Sequence, residues 1–274
     1  MDRLWCDRYR PKTLETLDYN KGIAMMLRKL ACCEDLPHLL IYGPNGAGKK
    51  TRIMGFLSEI YGNGVFKLKQ DFWEFKVSAT SSTKVECSVL SSNYHIDITP
   101  AECENYDRVV LQKLIKEVAS THQIDTKAQK NFKIIVINEV DRLSREAQAA
   151  LRRTMEKYVG VCRLVLVCEN LGRVISPLRS RCLLMRVPAP KQSDIEKVLK
   201  YIAIRENHTF PDQLITKIAE GSERNMRRAI LQLQTIKMKN PAGGLGMVNV
   251  HIPEWRQGIK TIFDMIVKEQ SPKM

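Results

Sequence analysis

The chain has 274 residues, with 44 lysines and arginines against 30 aspartates and glutamates, a net charge of +14 and a pI near 9.5. A basic excess of this size favours a polyanionic partner, because side chains that neutralise phosphates release counterions. An apolar run of about 18 residues is absent, which excludes a helical membrane span, and Met1-Asp2-Arg3-Leu4-Trp5-Cys6 lacks the apolar stretch expected of a secretory signal. The length suits one full α/β domain with a smaller companion. The eight cysteines, at 6, 32, 33, 87, 103, 162, 168 and 182, form no C-x-x-C pair. Neither a zinc site nor a redox motif is therefore read, and a reducing compartment is expected.

In chain order, the apolar run 39–42 reads as a buried strand and enters Gly43-Pro44-Asn45-Gly46-Ala47-Gly48-Lys49-Lys50, a phosphate-binding loop that leads into a helical segment. Glycines in such a loop let backbone N–H groups wrap phosphates, the lysine meets the β- and γ-phosphates, and a final Ser or Thr ligates magnesium. Lys50 stands at that final position, and Thr51 comes one residue late. Residues 63–93, with Phe66, Leu68, Phe72, Trp73, Phe75 and Val77, suggest an inserted β-hairpin. A strand at 94–98 precedes a helix at 106–121, whose Val109, Val110, Leu114 and Val118 share a face.

The strand at 134–138 ends in Asn138-Glu139-Val140-Asp141. At a Walker B strand end the first acid holds magnesium and the second polarises the attacking water. Asn138 carries no charge, so Lys50 and Asn138 weaken the same metal from two sides, and magnesium remains possible but disfavoured. A helix at 144–158 leads to strand 164–168 and Cys168-Glu169-Asn170, where an amide could orient a water. Ser180-Arg181-Cys182 then places an arginine on a short connection before strand 183–187, suited to reaching another subunit's phosphate. Near-continuous apolar strands alternating with helices imply a parallel five-stranded sheet covered on both faces.

Beyond Pro188-Ala189-Pro190 the pattern turns helical, at 193–206, 211–220 and 225–239. Pro241-Ala242-Gly243-Gly244-Leu245-Gly246 reads as a flexible connector. The stretch 253–269 reads as one amphipathic helix, with Trp255, Ile259, Ile262, Phe263 and Ile266 apolar; alone, it cannot bury that face.

Arg8-Tyr9-Arg10-Pro11, the phosphate loop, Asn138-Glu139-Val140-Asp141, Leu151-Arg152-Arg153-Thr154-Met155-Glu156-Lys157-Tyr158, Ser180-Arg181-Cys182 and Asn225-Met226-Arg227-Arg228-Ala229 occur in this order. Over about residues 1–240 the chain resembles the small subunits of replication factor C, the eukaryotic AAA+ sliding-clamp loader. Ser92-Asn93-Tyr94-His95, the stretch 105–110 and the two altered nucleotide motifs are most similar to subunit 3 of that family. The resemblance implies an AAA+ P-loop domain at 1–188, a helical lid at 189–240, and a linker with roughly the first helix of a truncated collar at 241–274. It implies bound ATP or ADP, with Arg8, Tyr9, Arg10 and Pro11 at the adenine, Lys49 on the phosphates, Asn170 as first sensor and Arg227 as lid sensor.

By the same resemblance Arg181 would be an arginine finger acting in trans, while Glu139 would be what remains of the catalytic strand end. Implied partners are the other replication factor C subunits in a five-subunit assembly, the proliferating cell nuclear antigen clamp and primer-template DNA, in nuclear replication and repair. Helix 106–121 would help face the clamp. Arg108 and Arg145, each near a helix start, are the candidate DNA contacts. The expected chemistry is nucleotide binding with little intrinsic hydrolysis. The alternatives are a conventional ATPase rescued by Thr51, Asp141 and Glu139, and a non-catalytic form that binds sibling subunits or DNA.

Overall fold

The computed structural model describes residues 4–76, 84–120, 132–239 and 254–269. Val77 of the expected hairpin, Thr121 and the connector 241–246 lie outside the described residues. Two compact bodies emerge: Arg10–Pro190, and the N-terminal residues up to Tyr9 together with the chain from Lys191 onward.

In chain order the elements are α1 (Trp5–Arg8), α2 (Lys21–Cys32), β1 (Leu39–Tyr42), α3 (Lys49–Tyr61), β2 (Lys69–Lys76), β3 (Lys84–Ser91), β4 (His95–Ile98) and α4 (Asp107–Ser120). They continue with β5 (Lys133–Ile137), α5 (Arg145–Lys157), β6 (Cys162–Cys168), α6 (Ser176–Arg179), β7 (Leu183–Arg186), α7 (Gln192–Arg205), α8 (Asp212–Gly221), α9 (Met226–Lys239) and α10 (Glu254–Glu269).

The sheet of the first body runs β2-β3-β4-β5-β6-β1-β7. Its five strands from β4 to β7 are parallel, and they are the five read from the sequence. The expected five-stranded sheet is nevertheless corrected to seven strands. The hairpin of β2 and β3 does not stand apart, because β3 pairs antiparallel with β4 through Val89↔Ile98 and so extends the edge. The hairpin also starts later than expected, since Gly62–Phe66 forms a 3-10 turn.

Alternation along the parallel strands splits their side chains between two cores. Leu40, Ile135, Ile137, Leu164 and Leu166 face the side covered by α4 and α5, with Leu111, Leu114, Leu151 and Met155. Leu39, Ile41, Ile134, Val136, Val165 and Val167 face the side of α2 and α3, with Leu27, Ile53, Phe56 and Leu57. Full burial of each such side chain is worth roughly 1.5–3 kcal/mol. β1 lies between β6 and β7, so the loop that leaves it opens at the carboxyl ends of β1, β5 and β6. Open parallel sheets place ligands at that edge.

In the second body α7, α8 and α9 bury Ile195, Leu199, Ile202, Leu214, Ile218, Leu233 and Ile236 among themselves. Trp5 of α1 is buried too, and its backbone N–H donates to Gln234 Oε1 at 3.0 Å. On α10, Trp255, Ile259, Ile262, Phe263 and Ile266 are all exposed, as a lone amphipathic helix requires. Among the described residues no helix is long and apolar enough to cross a membrane.

Candidate nucleotide site

The loop after β1 is held on three sides. Gly43 N–H donates to Cys168 O of β6 at 3.3 Å, and Val187 N–H donates to Tyr42 O at 2.8 Å. Gly43 passes so near β7 that a Cβ would stand 2.1 Å from Val187 O, so only glycine fits. Gly48, at φ +82°, is closed off in the same way by the Tyr19 hydroxyl, 2.6 Å from an added Cβ. The Ala47 carbonyl accepts from Tyr19 OH and from Arg52 Nη1, each at 3.0 Å. Peptide planarity then turns the Gly48 N–H the opposite way. Lys49 Nζ donates to Gly43 O at 2.6 Å and to Pro44 O at 3.1 Å, across the loop. Burial pushes the Lys49 amine below its ordinary value, while Glu169, Cys168, Asp141 and Glu139 oppose that shift. A glycine-punctuated loop of this kind, at the start of the long helix α3, fits the phosphates of a nucleotide.

The two positions that would serve magnesium carry other groups. Lys50 Nζ makes a 2.7 Å ion pair with Oδ2 of Asp97, a buried acid at the centre of β4. Asn138 Nδ2 donates to the other oxygen of Asp97, and also to Ile98 O at 3.3 Å. The place of the metal's hydroxyl ligand thus carries an ammonium, the strand-end acid is an amide, and the nearest carboxylate has both oxygens engaged. Glu139 adopts φ +53°, a left-handed conformation uncommon outside glycine and concentrated at functional sites. Its Oε2 accepts from Arg142 Nη1 at 3.1 Å. Thr51 is half-buried in the first turn of α3. Among the described residues no group of three or more His, Cys, Asp or Glu gathers to hold a metal ion.

Asn170 lies at the end of β6, beside this edge. Its Oδ1 accepts from Gly172 N–H at 2.9 Å, the turn bonding common for Asn after a strand. Asp141 Oδ2 accepts from the backbone N–H groups of Glu169 and Asn170, at 3.3 and 3.1 Å, so it braces this turn. Loop, Asn138, Glu139 and Asn170 are therefore brought to one edge. Arg10 and Pro11 belong to the same body; Arg8, Tyr9 and Arg227 belong to the other. There Arg8 Nη1 reaches Glu206 Oε1 at 3.0 Å, Tyr9 OH donates to the same oxygen, and Lys237 Nζ holds Oε2 at 2.8 Å. Arg227 is exposed in the first turn of α9, which Asn225 caps by accepting from Arg228 N–H at 3.1 Å.

Arg181 stands between α6 and β7. Its Nε donates to Glu156 Oε1 at 2.7 Å and its Nη1 to Pro177 O at 2.9 Å, so two of the three guanidinium nitrogens are held. That bond, before all else, holds the Glu156 carboxyl below its ordinary value. Arg108 and Arg145 open α4 and α5, whose starts are tied together by buried Asp107. Its Oδ2 accepts from Ser144 N–H at 2.7 Å, and its Oδ1 accepts from Ser144 Oγ at 3.1 Å. Arg108 reaches Glu146 at 3.2 Å, and Arg145 is exposed.

Three residues of the site escape sequence reasoning: Asp97, Tyr19 and Arg52. An acid inside the apolar run His95-Ile96-Asp97-Ile98 is a visible anomaly. Arg52 carries a weaker signal, a cation on the apolar face of α3. It is fully buried, stacks 4.6 Å from the Tyr19 ring centroid, and donates to Ala47 O, to Gly48 O and, at 2.9 Å, to Tyr19 O. Removing it takes the guanidinium donors from all three carbonyls, although Ala47 O keeps the Tyr19 hydroxyl and Gly48 O keeps the backbone N–H at position 52. Arg52→Ala is therefore expected to destabilise this body by about 2–4 kcal/mol in urea denaturation; a loss under about 0.5 kcal/mol would mean that the guanidinium does not brace the loop.

The model for "DNA polymerase III, delta subunit" matches residues 21–191, and that for "RCF1/5-like, AAA+ ATPase lid domain" matches 197–238. Replication factor C subunit 3 of Bos taurus is 45% identical over 272 residues, covering 98% of this chain and 75% of that protein. The chain belongs to the replication factor C subunit family. Subunit 5 of Schizosaccharomyces pombe is likewise 45% identical over 98% of this chain and 75% of its own length. Subunit 3 of Homo sapiens is 44% identical with the same coverage. This replication factor C chain thus spans 75% of the length of these relatives. Among solved structures, the RuvB Holliday junction branch migration motor of Thermotoga maritima superposes with a TM-score of 0.62, at 17% identity, over 93% of this chain and 80% of that one. That likeness shows the fold, an AAA+ P-loop architecture.

Proposed function

We propose that the chain is a nucleotide-binding subunit of a sliding-clamp loader, with little hydrolysis of its own, that activates a neighbouring subunit's ATP site through Arg181. One observation carries this reading. The glycines of the phosphate loop and Lys49 are in place while Lys50 and Asn138 stand where metal ligands would be, and Arg181 on the same body is held by Glu156 and Pro177 O. A site that holds phosphates without a metal's Lewis acidity is poorly equipped to cleave them, whereas an arginine on a short rigid connection can serve a phosphate bound elsewhere. Asp141 is occupied in bracing the β6 turn, which weighs against its rescuing metal chemistry.

The implied assembly contains the other replication factor C subunits, the proliferating cell nuclear antigen clamp and primer-template DNA, in the nucleus. Arg108 and Arg145, at neighbouring helix starts, would contact the DNA backbone, and α4 would help face the clamp. Arg8, Tyr9, Arg10 and Pro11 would serve the adenine, Asn170 and Arg227 would sense the nucleotide, and α10 would offer its apolar face to sibling subunits. The deciding experiment is ATP turnover by the sibling small subunits with and without this chain. Stimulation is expected; its absence, with the chain shown to be bound, would overturn the activating role.

A further inference from the structure

Building on the nucleotide reading, on which it rests, we propose that Lys50 is a built-in cation: held by Asp97, its ammonium takes the place of a divalent metal, and the site binds nucleoside diphosphates and triphosphates without magnesium. An acid at position 138 would stand within hydrogen-bonding distance of Asp97, and two adjacent carboxylates would call for a divalent cation between them. Asn138 removes one of those charges and supplies a donor to Asp97 instead. One buried carboxylate then remains, with its side chain 7% exposed, and one ammonium 2.7 Å away neutralises it. Lone charges are seldom buried without such a partner.

Two other acids of the edge are each engaged through one oxygen. Glu139 turns to Arg142, and Asp141 accepts two backbone N–H groups. The Lys50 side chain, by contrast, stays 48% exposed. An ammonium has three donors, and Asp97 takes one, which leaves two for phosphate oxygens. A lysine–aspartate pair has no net charge, whereas magnesium beside one carboxylate is net positive. The site should therefore distinguish poorly between the triphosphate and the diphosphate, since the extra phosphate charge meets no extra cation.

The test is the affinity of the full chain for a fluorescent ADP and a fluorescent ATP, with excess magnesium and with EDTA. The two conditions are expected to agree within about threefold, and the two nucleotides within about tenfold. Lys50→Thr should weaken binding in EDTA by about tenfold or more. Lys50→Thr combined with Asn138→Asp should bind in magnesium and lose about tenfold or more in EDTA. Wild-type binding that collapses in EDTA would overturn the proposal and leave the nucleotide reading standing. Lys50→Thr binding equal to wild type in EDTA would also overturn it. No binding of either nucleotide in either condition would overturn the nucleotide reading itself. The wild-type comparison needs no variant, so a misfolded substitution cannot rescue the proposal.

Discussion

Replacing Arg181 with alanine is expected to lower ATP turnover at the neighbouring subunit's site by about a hundredfold or more, while this chain's own nucleotide affinity is unchanged. Arginines that reach a transferring phosphoryl group from another subunit contribute factors of roughly 10³–10⁵ where they have been isolated, and sites elsewhere in the assembly would dilute that figure. The side chain is 35% exposed and is fixed through Nε and one terminal nitrogen. Holding two of the three nitrogens limits the entropy lost when the third engages a phosphate. Lys49→Ala should cost far less turnover, because the proposed division of labour puts hydrolysis at the neighbour's site. Turnover by assembled complexes containing each variant checks both claims. If Lys49→Ala proved the more damaging, the division of labour would be reversed.

The second large effect is on stability in mild acid. His38 and His95 are buried, and burial pushes both rings from 6.5 down to about 4. For His38, nearby Arg163 lowers the value further; for His95, Asp97 opposes the shift and Lys50 reinforces it. The structure shows why the rings stay neutral. His38 Nδ1 accepts the Leu164 N–H at 3.0 Å, which a protonated ring cannot do, and among the described residues Nε2 of His95 has no hydrogen-bond partner. As pH falls through 6.5 the unfolded chain binds protons first, so stability declines until the folded rings titrate near 4. Above 6.5 both states are neutral and the two histidines impose no slope. Each contributes up to about 1.4 kcal/mol per pH unit within the window. Urea midpoints of the α/β body at pH 7 and pH 5 should therefore differ by a few kcal/mol of stability. Glu206 and Glu156, whose carboxyls sit below their ordinary values, lose their share only at lower pH. Equal midpoints at the two pH values would show that the rings are not held neutral.

Local pattern determined much of this protein. The five parallel strands and the helices from α4 onward, α6 excepted, were legible to within a residue or two. Buried parallel strands are near-continuous apolar runs, and helices that cover them repeat at 3.6 residues. The phosphate loop was legible because its glycines must leave room, as the approach of Val187 O to Gly43 demonstrates. Helix α2 was not read, although Ala24, Leu27 and Ala31 have helical spacing and Asn20 stands at its N-cap; in the fold Asn20 is left-handed and makes no side-chain cap. The altered motifs were visible too, but only as deviations, Lys50 and Asn138 each looking like a ligand lost.

Tertiary structure decided how those deviations combine. Strand order brings β4 beside β5, and only then do Lys50, Asp97 and Asn138 become one neutralised cluster. The same holds for α1, which joins the C-terminal helices through Trp5 and Glu206, and for the hairpin that lengthens the sheet to seven strands. The physical reason is common to all three. Backbone propensity and apolar period act over a few residues and can be read there, whereas a buried charge takes its partner from whatever the fold sets within reach.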